Sequence, residues 1–251
     1  MIEDPKPSNW KDLQIGVCKI LNEVGISAEL EQKIKTPRGS VEIDVYGVDR
    51  NSVEQIKYII ECKNWGKPVA QHVVHSFTTV LQETGGHIGI LVSKEGFQEG
   101  ALSYINNTNI VAFTYAEFQQ RYFKLWYKKY FCPKIFEAID TFFQYIEPIN
   151  SRRSRHVEQL SKAQREEYYA LCSQYEMFGI VMAMLSSDKF AHDSEPSGVF
   201  DIEEFKRKTA TFGEEFQYQS NYYRDLIDEI SQHSQSISQK FHTVFGGDIF
   251  A

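Results

Sequence analysis

The chain has 251 residues, of which 42% are hydrophobic and 24% charged, so it can build one large or two modest domains around a buried core. Its net charge of -7 argues against a protein that coats nucleic acid without specificity, because the phosphate backbone attracts clustered Lys and Arg. The longest apolar run, Phe178 to Leu185, is too short to span a bilayer.

The N-terminus and the cysteines indicate a cellular compartment. The first ten residues, MIEDPKPSNW, are polar and acidic and have no leader pattern. The four cysteines lie far apart, without the paired spacing or the neighbouring histidines of a zinc site. We therefore predict a cytoplasmic protein with reduced thiols and no membrane association.

The chain begins with the pattern of a helix followed by a strand. Residues 9–24 place apolar side chains at helical spacing, with Ser8 as the predicted N-cap and Gly25 as the C-terminal stop. Residues 26–34 alternate weakly and predict a first strand. The turn residues of 37–40 lead into a second strand.

The second predicted strand carries two acidic residues on one face. Val41 to Val48 alternates apolar with polar residues, which is the period of a strand whose two faces differ. Glu42 and Asp44 therefore point the same way. A polar turn segment, DRNSVE, separates this strand from the next one.

The third predicted strand, Gln55 to Lys63, is rich in β-branched and aromatic residues and places Glu61 and Lys63 on one face. An antiparallel hairpin with Asp44 opposite Glu61 would centre on the polar turn segment. In the same register Glu42 would lie opposite Lys63. Opposed Cβ atoms in such a hairpin are about 4.5–5.5 Å apart, so the two carboxylates could share one divalent cation.

This arrangement predicts a metal site. Like charges directly opposite one another destabilise a sheet, so an ordinary surface hairpin gives no reason to set Asp44 against Glu61. A bound Mg²⁺ would remove that conflict, polarise a phosphate oxygen and lower the pKa of a bound water. Lys63 could orient the water or neutralise developing charge. The three residues thus indicate phosphodiester hydrolysis.

The spacing of Asp44 and the triplet Glu61-Cys62-Lys63 resembles the PD-(D/E)xK nuclease superfamily. The phrases EIDVYG, IIECKNWGKPV and GGHIGILVSKEGFQEGA, within about residues 10–115, are similar to its Mrr-like branch of restriction endonucleases. The resemblance implies that Asp44 and Glu61 hold Mg²⁺, with Mn²⁺ as a substitute, and that Lys63 serves the attacking water. The family often has a glutamate in the first helix, where this chain has Gln14, and the proline of the motif is missing.

Four further elements complete a predicted α/β core. Pro68 suits the first turn of a helix that runs to about Thr84. Residues 87–92 predict an inner strand, and a helix over 97–106 precedes a last strand over 110–113. This order agrees with a restriction-endonuclease-like core, in which a mixed central sheet is flanked by helices, followed here by an all-α C-terminal region.

Several polar residues near the three charged groups have two interpretations. Gln71 and Glu42 are either accessory groups of the site or ordinary exposed residues. His72 and His75, three residues apart with no third ligand, are a weak metal signal. Lys94 follows the inner strand and either contacts the DNA backbone or stays hydrated.

The C-terminal region opens with a basic, aromatic helix. A TYAE capping box starts this helix directly after the last strand, and Pro133 is predicted to interrupt it. Residues 118–136 mix basic and aromatic residues without an acidic one. Lys128 and Lys129 either contact nucleic acid or stay hydrated while the aromatic residues pack on the core.

The segment SRRSRH, residues 151–156, is the most basic short stretch, and Arg152, Arg153 and Arg155 are either phosphate contacts or part of a solvated linker. Further helices are predicted over 134–149, over 158–187, from Asp201, and over 212–245, with a polar loop over 188–198. The apolar spacing of the last helix allows either self-association or packing in an intramolecular bundle.

These patterns predict an Mrr-like PD-(D/E)xK nuclease domain over residues 1–114 and a helical domain over 115–251 that recognises DNA, binds a partner or self-associates. The predicted activity is metal-dependent DNA endonuclease cleavage in restriction or in defence against foreign DNA. The expected partners are DNA, a second copy in a homodimer or higher oligomer, and a regulatory protein. The alternatives are a structure-selective repair nuclease of the junction-resolvase kind, a silent toxic effector, and a catalytically inactive binding module.

Overall fold

The structure is a computed structural model that describes residues 1–186 and 201–251. These residues form two compact units, Met1–Lys129 and Tyr130–Ala251. The boundary lies beyond the predicted position between residues 114 and 115, because the helix that follows the last strand packs back on the first unit. The predicted loop over 188–198 lies outside the described residues.

The first unit contains five strands, β1 (Ser27–Thr36), β2 (Gly39–Asp49), β3 (Ile56–Lys63), β4 (Ile88–Ser93) and β5 (Ile110–Thr114). They lie in chain order in one mixed sheet. Neighbouring strands from β1 to β3 are antiparallel, and β3, β4 and β5 are parallel to one another.

Helices cover both faces of this sheet. On one face α2 and α3 pack on apolar side chains that include Ile59 and Leu91. On the other face α4 packs against α1 and the parallel strands. The predicted fold class, a mixed central sheet flanked by helices and followed by a helical region, is confirmed. The helices are α1 (Trp10–Glu23), α2 (Gln71–Glu83), α3 (Glu99–Ile105) and α4 (Tyr115–Trp126).

Two helix starts differ from the prediction. The N-cap of α1 is Asn9, whose side chain accepts the backbone N–H groups of the first turn, and not Ser8. Pro68 lies three residues before α2. The helix starts late because the intervening Val69 forms a β-bridge with Phe97 and donates its N–H to the Gly96 carbonyl at 2.9 Å.

The second unit is helical, with α5 (Cys132–Ile146), α6 (Ser151–Gln159), α7 (Lys162–Leu185), α8 (Ile202–Thr209) and α9 (Tyr223–Phe245). Helices α5, α7 and α9 pack together around buried aromatic residues. A new helix does start next to Pro133, which lies in the first turn of α5, where a proline removes no needed hydrogen bond, but α4 ends earlier than predicted, at Trp126. A π-helical turn over Tyr127–Phe131 precedes α5 instead.

Two long helices of the prediction are divided in the structure. A capping box at Ser161 starts α7, so the helix predicted over 158–187 is split. The helix predicted from 212 starts only at Tyr223, after Gly213 adopts a φ of +142° that is typical of glycine. The apolar seam of α9 is buried against α5 and α7, which confirms the intramolecular bundle. No helix among residues 1–186 and 201–251 has the length and hydropathy needed to cross a bilayer.

Candidate active site

The hairpin register is the predicted one, but the ladder stops early. Val45 lies opposite Ile60 at its last pair, one pair before the predicted match of Asp44 with Glu61. Glu42 lies opposite a β1 residue and is exposed, so the predicted pairing of Glu42 with Lys63 does not form. The reason is that β2 separates from β3 beyond Val45.

The carboxylate of Asp44 occupies the point where the two strands separate. Its Oδ2 accepts the backbone N–H of Cys62 at 2.7 Å. If the ladder continued, that N–H would meet the backbone of Ile43. The side chain of Asp44 therefore replaces a ladder hydrogen bond, and this fixes the carboxylate beside the end of β3.

Glu61 and Lys63 stand at the C-terminal end of β3, on the sheet face that α2 covers, because they alternate in step with Ile59. Lys63 Nζ donates to Glu61 Oε1. Burial and then the charge of Asp44 raise the pKa of Glu61, while the hydrogen bond from Lys63 opposes that rise. The structure thus brings the three predicted residues together as two mutually repelling carboxylates and one compensating ammonium group.

The donors at this site suit a hard divalent cation. Within the described residues no group of three or more His, Cys, Asp or Glu side chains forms a metal cage. Mg²⁺ needs no such cage, since it keeps several waters and commonly takes one or two carboxylates together with substrate phosphate oxygens. Gln14, the α1 residue at the position where the family often has a glutamate, is 4% exposed, and its neutral Oε1 has no hydrogen-bond partner among the described residues.

Trp65 is a residue of this site that the sequence analysis missed. It follows the end of β3 in a loop, is 40% exposed, and holds its ring centroid 5.4 Å from Lys63 Nζ. This distance is within the range of a cation–π interaction. Its position two residues after Lys63 was the one feature of the sequence that could have indicated that it lies at this site. The side-chain oxygen of Asn64, between them, is buried and finds no partner among the described residues.

The proposed accessory and neighbouring residues divide into two groups. Lys94 donates its backbone N–H to the Lys63 carbonyl at 3.0 Å and has an exposed side chain, so it stands at the same strand end. Gln71, His72 and His75 line an open cleft at the start of α2. In the described residues no hydrogen bond connects these three side chains to Asp44, Glu61 or Lys63.

Both lysines of the π-helical turn, Lys128 and Lys129, are exposed. Lys129 Nζ donates to the Val24 carbonyl at 3.0 Å, at the C-terminal end of α1, where a positive charge is favourable. Contacts of the two lysines with DNA stay predictions.

The basic segment 151–156 is a helix and not a linker, because Asn150 caps its first turn. Arg153 is 8% exposed and donates to the Glu147 carbonyl at 2.5 Å, so it closes the connection between α5 and α6 and is withdrawn as a phosphate contact. Arg155 remains exposed. Arg152 donates to the carbonyl groups of Phe250 and Ala251.

Comparisons with known proteins bear on the first unit. Residues 6–122 match a family model described as restriction endonuclease, of the Mrr catalytic type. The match spans α1, the whole sheet, the three charged residues and the first two thirds of α4. A solved structure of a protein of unknown function, AF1548, aligns with 94% of this chain and 98% of its own, at 14% identity and a TM-score of 0.39. No curated protein matches the chain.

Proposed function

We propose, from the membership of residues 6–122 in the Mrr catalytic family of restriction endonucleases, that this chain is a Mg²⁺-dependent DNA endonuclease that hydrolyses phosphodiester bonds. The observation that carries the proposal is the meeting of Asp44, Glu61 and Lys63 at the end of β3. We further propose a role in restriction or in defence against foreign DNA.

Each of the three residues has a distinct task. Asp44, held by the Cys62 N–H, and Glu61 would hold Mg²⁺ or Mn²⁺. When bound, the cation would polarise a phosphate oxygen and lower the pKa of a bound water. Lys63 orients the attacking water and offsets the negative charge that develops on the phosphate. The ion pair of Lys63 with Glu61 keeps the ammonium group at the carboxylates before substrate binds.

DNA binding is proposed from exposed cations of the two units. Lys94 stands at the same strand end as Lys63, and we propose it as a contact to the backbone of the cleaved strand. Lys128 and Arg155 are proposed as further phosphate contacts. The helical unit is proposed to recognise DNA, a regulatory protein or a second copy. We also propose the cytoplasm as its location, a reducing compartment in which the cysteines would stay as thiols.

The test is cleavage of supercoiled plasmid, methylated and unmethylated, and of a four-way junction, with Mg²⁺, Mn²⁺ or EDTA. Wild type should cut in either metal and not in EDTA. Asp44→Asn should not cut, while the matched control Glu42→Gln, an exposed residue two positions away on the same strand, should cut as wild type does. Cutting by Asp44→Asn, or cutting in EDTA, would reject the assigned site, and preference for the junction would support the repair alternative.

A further inference from the structure

A second cleft lies in the first unit, away from the proposed active site. It separates α4 from β5 and from the N-terminal halves of β3 and β4, and has a volume of about 310 Å³. We call it the α4 cleft. Its floor consists of apolar side chains of β4 and β5, including Phe113, and its polar residues are Tyr58, Arg121 and Tyr122.

The α4 cleft and the active site lie on opposite faces of the sheet. Tyr58 and Glu61 are three residues apart on β3, and side chains at odd separations point to opposite faces. Tyr58 also lies five residues before Lys63, which corresponds to about 16 Å along the strand. A ligand in the α4 cleft would therefore not compete with substrate for Asp44, Glu61 or Lys63.

Three hydrogen-bond donors of the cleft lack protein partners. In the described part of the chain, the hydroxyl groups of Tyr58 and Tyr122 and the guanidinium group of Arg121 make no hydrogen bond or ion pair. Neither hydroxyl oxygen is among the buried polar atoms that lack a partner, so both hydroxyl groups are accessible to solvent. Burial raises the pKa of Tyr122 to about 12, which keeps it a neutral donor at physiological pH. No carboxylate is among the described lining residues, and the charge of Asp49, outside the lining, acts on Tyr58.

This combination selects a class of ligand. An apolar floor with a few converging polar groups is the usual form of a small-molecule site, and the volume is at the lower end of the range for such sites. Aromatic and aliphatic side chains accept a planar ring, whereas a guanidinium group pairs with phosphate through two parallel hydrogen bonds. Two phenol donors beside it would complete the shell of one phosphate group.

We propose that the α4 cleft binds a nucleoside monophosphate unit, with the base on the apolar floor beside Phe113 and the phosphate on Arg121, Tyr58 and Tyr122. The choice of a nucleotide over other ring-bearing anions rests on the proposed function, since the substrate and the products of a DNA endonuclease consist of nucleotides. The unit is either a free mononucleotide or the 5′-phosphorylated end of a DNA strand, because both present the same base and phosphate.

The test is isothermal titration calorimetry on the full chain carrying Asp44→Asn, in EDTA, so that no DNA is cut. The probes are dAMP, deoxyadenosine, inorganic phosphate and a 5′-phosphorylated tetranucleotide. We expect dAMP to bind at least tenfold more tightly than deoxyadenosine or phosphate. Adding Arg121→Gln should weaken dAMP binding about tenfold or more, and Tyr122→Phe about threefold or more. Lys124→Gln, which removes an equal charge from an exposed position on α4, should leave the Kd unchanged.

Each outcome decides a part of the inference. Tighter binding of the tetranucleotide than of dAMP would identify a strand end as the ligand, and equal or weaker binding a free nucleotide. Unchanged binding in Arg121→Gln, or phosphate binding as tight as dAMP binding, would overturn the inference. Absence of binding by both nucleotide probes would also overturn it. If wild type cuts DNA while neither probe binds, the proposed function stands and only this inference fails.

Discussion

Two substitutions of Asp44 should differ in stability although both remove the same charge. Asp44→Ala leaves the Cys62 N–H without a partner in a residue that is 8% exposed, whereas Asp44→Asn keeps an oxygen that can accept it. Both variants relieve the repulsion between Asp44 and Glu61 equally. The difference between them therefore isolates the hydrogen bond, and an unpaired buried donor costs about 1–3 kcal/mol.

The assay is urea unfolding of both variants, combined with amide hydrogen exchange at Cys62. We expect Asp44→Ala to unfold at a lower urea concentration than Asp44→Asn, with a free energy of unfolding about 1–3 kcal/mol smaller. The Cys62 amide of Asp44→Ala should also exchange faster. The same pair of substitutions at exposed Glu42 should differ by no more than about 0.5 kcal/mol. Equal stability and equal protection of Cys62 in the two Asp44 variants would refute the role given to this carboxylate.

Three further predictions concern Glu61, His233 in α9, and the contact of Trp65 with Lys63. The pKa of Glu61 in the folded protein is raised above 4.5, so the free energy of unfolding of metal-free wild type should fall as the pH rises from 4.5 through that pKa. Urea titrations at several pH values would measure this loss, and Glu61→Gln should remove it. Burial lowers the pKa of His233 below 6.5, so stability should fall as the pH falls below 6.5, and a flatter profile is expected for His233→Gln. Trp65→Leu should slow DNA cleavage about two- to fivefold by removing the cation–π contact with Lys63, and Trp65→Phe should restore most of the rate.

The hairpin shows how far the sequence could be interpreted. A period of two in both strands, a polar turn between them and the charge conflict of Asp44 with Glu61 together predicted the register that the structure confirms. The separation of the strands beyond Val45 could not be predicted, because it depends on a side chain that replaces a backbone hydrogen bond. The period and composition of a strand indicate which side chains share a face. They do not indicate whether the Cys62 N–H will bond to the backbone of Ile43 or to the carboxylate of Asp44.

The basic residues show the opposite case. Composition makes Lys129 and Arg153 look alike as candidates for phosphate contacts. The structure gives each of them a backbone carbonyl at a helix end, and the partner of Lys129 lies 105 residues away in the chain. The pairing of Lys129 is set by tertiary packing, for which a single sequence has no local signal, whereas the partner of Arg153 lies six residues away across the connection between α5 and α6. The helix start at Thr114 was predictable because both partners of its capping box are local, whereas the equally local capping box at Ser161 was missed.

Mn²⁺ binding measured by electron paramagnetic resonance tests, without requiring activity, whether Asp44 and Glu61 form the metal centre. Wild type should bind one Mn²⁺ per chain, displaced by excess Mg²⁺, with affinity lost in Asp44→Asn and in Glu61→Gln and kept in Glu42→Gln. Equal Mn²⁺ affinity in wild type, Asp44→Asn and Glu61→Gln would show that these two carboxylates do not hold the metal.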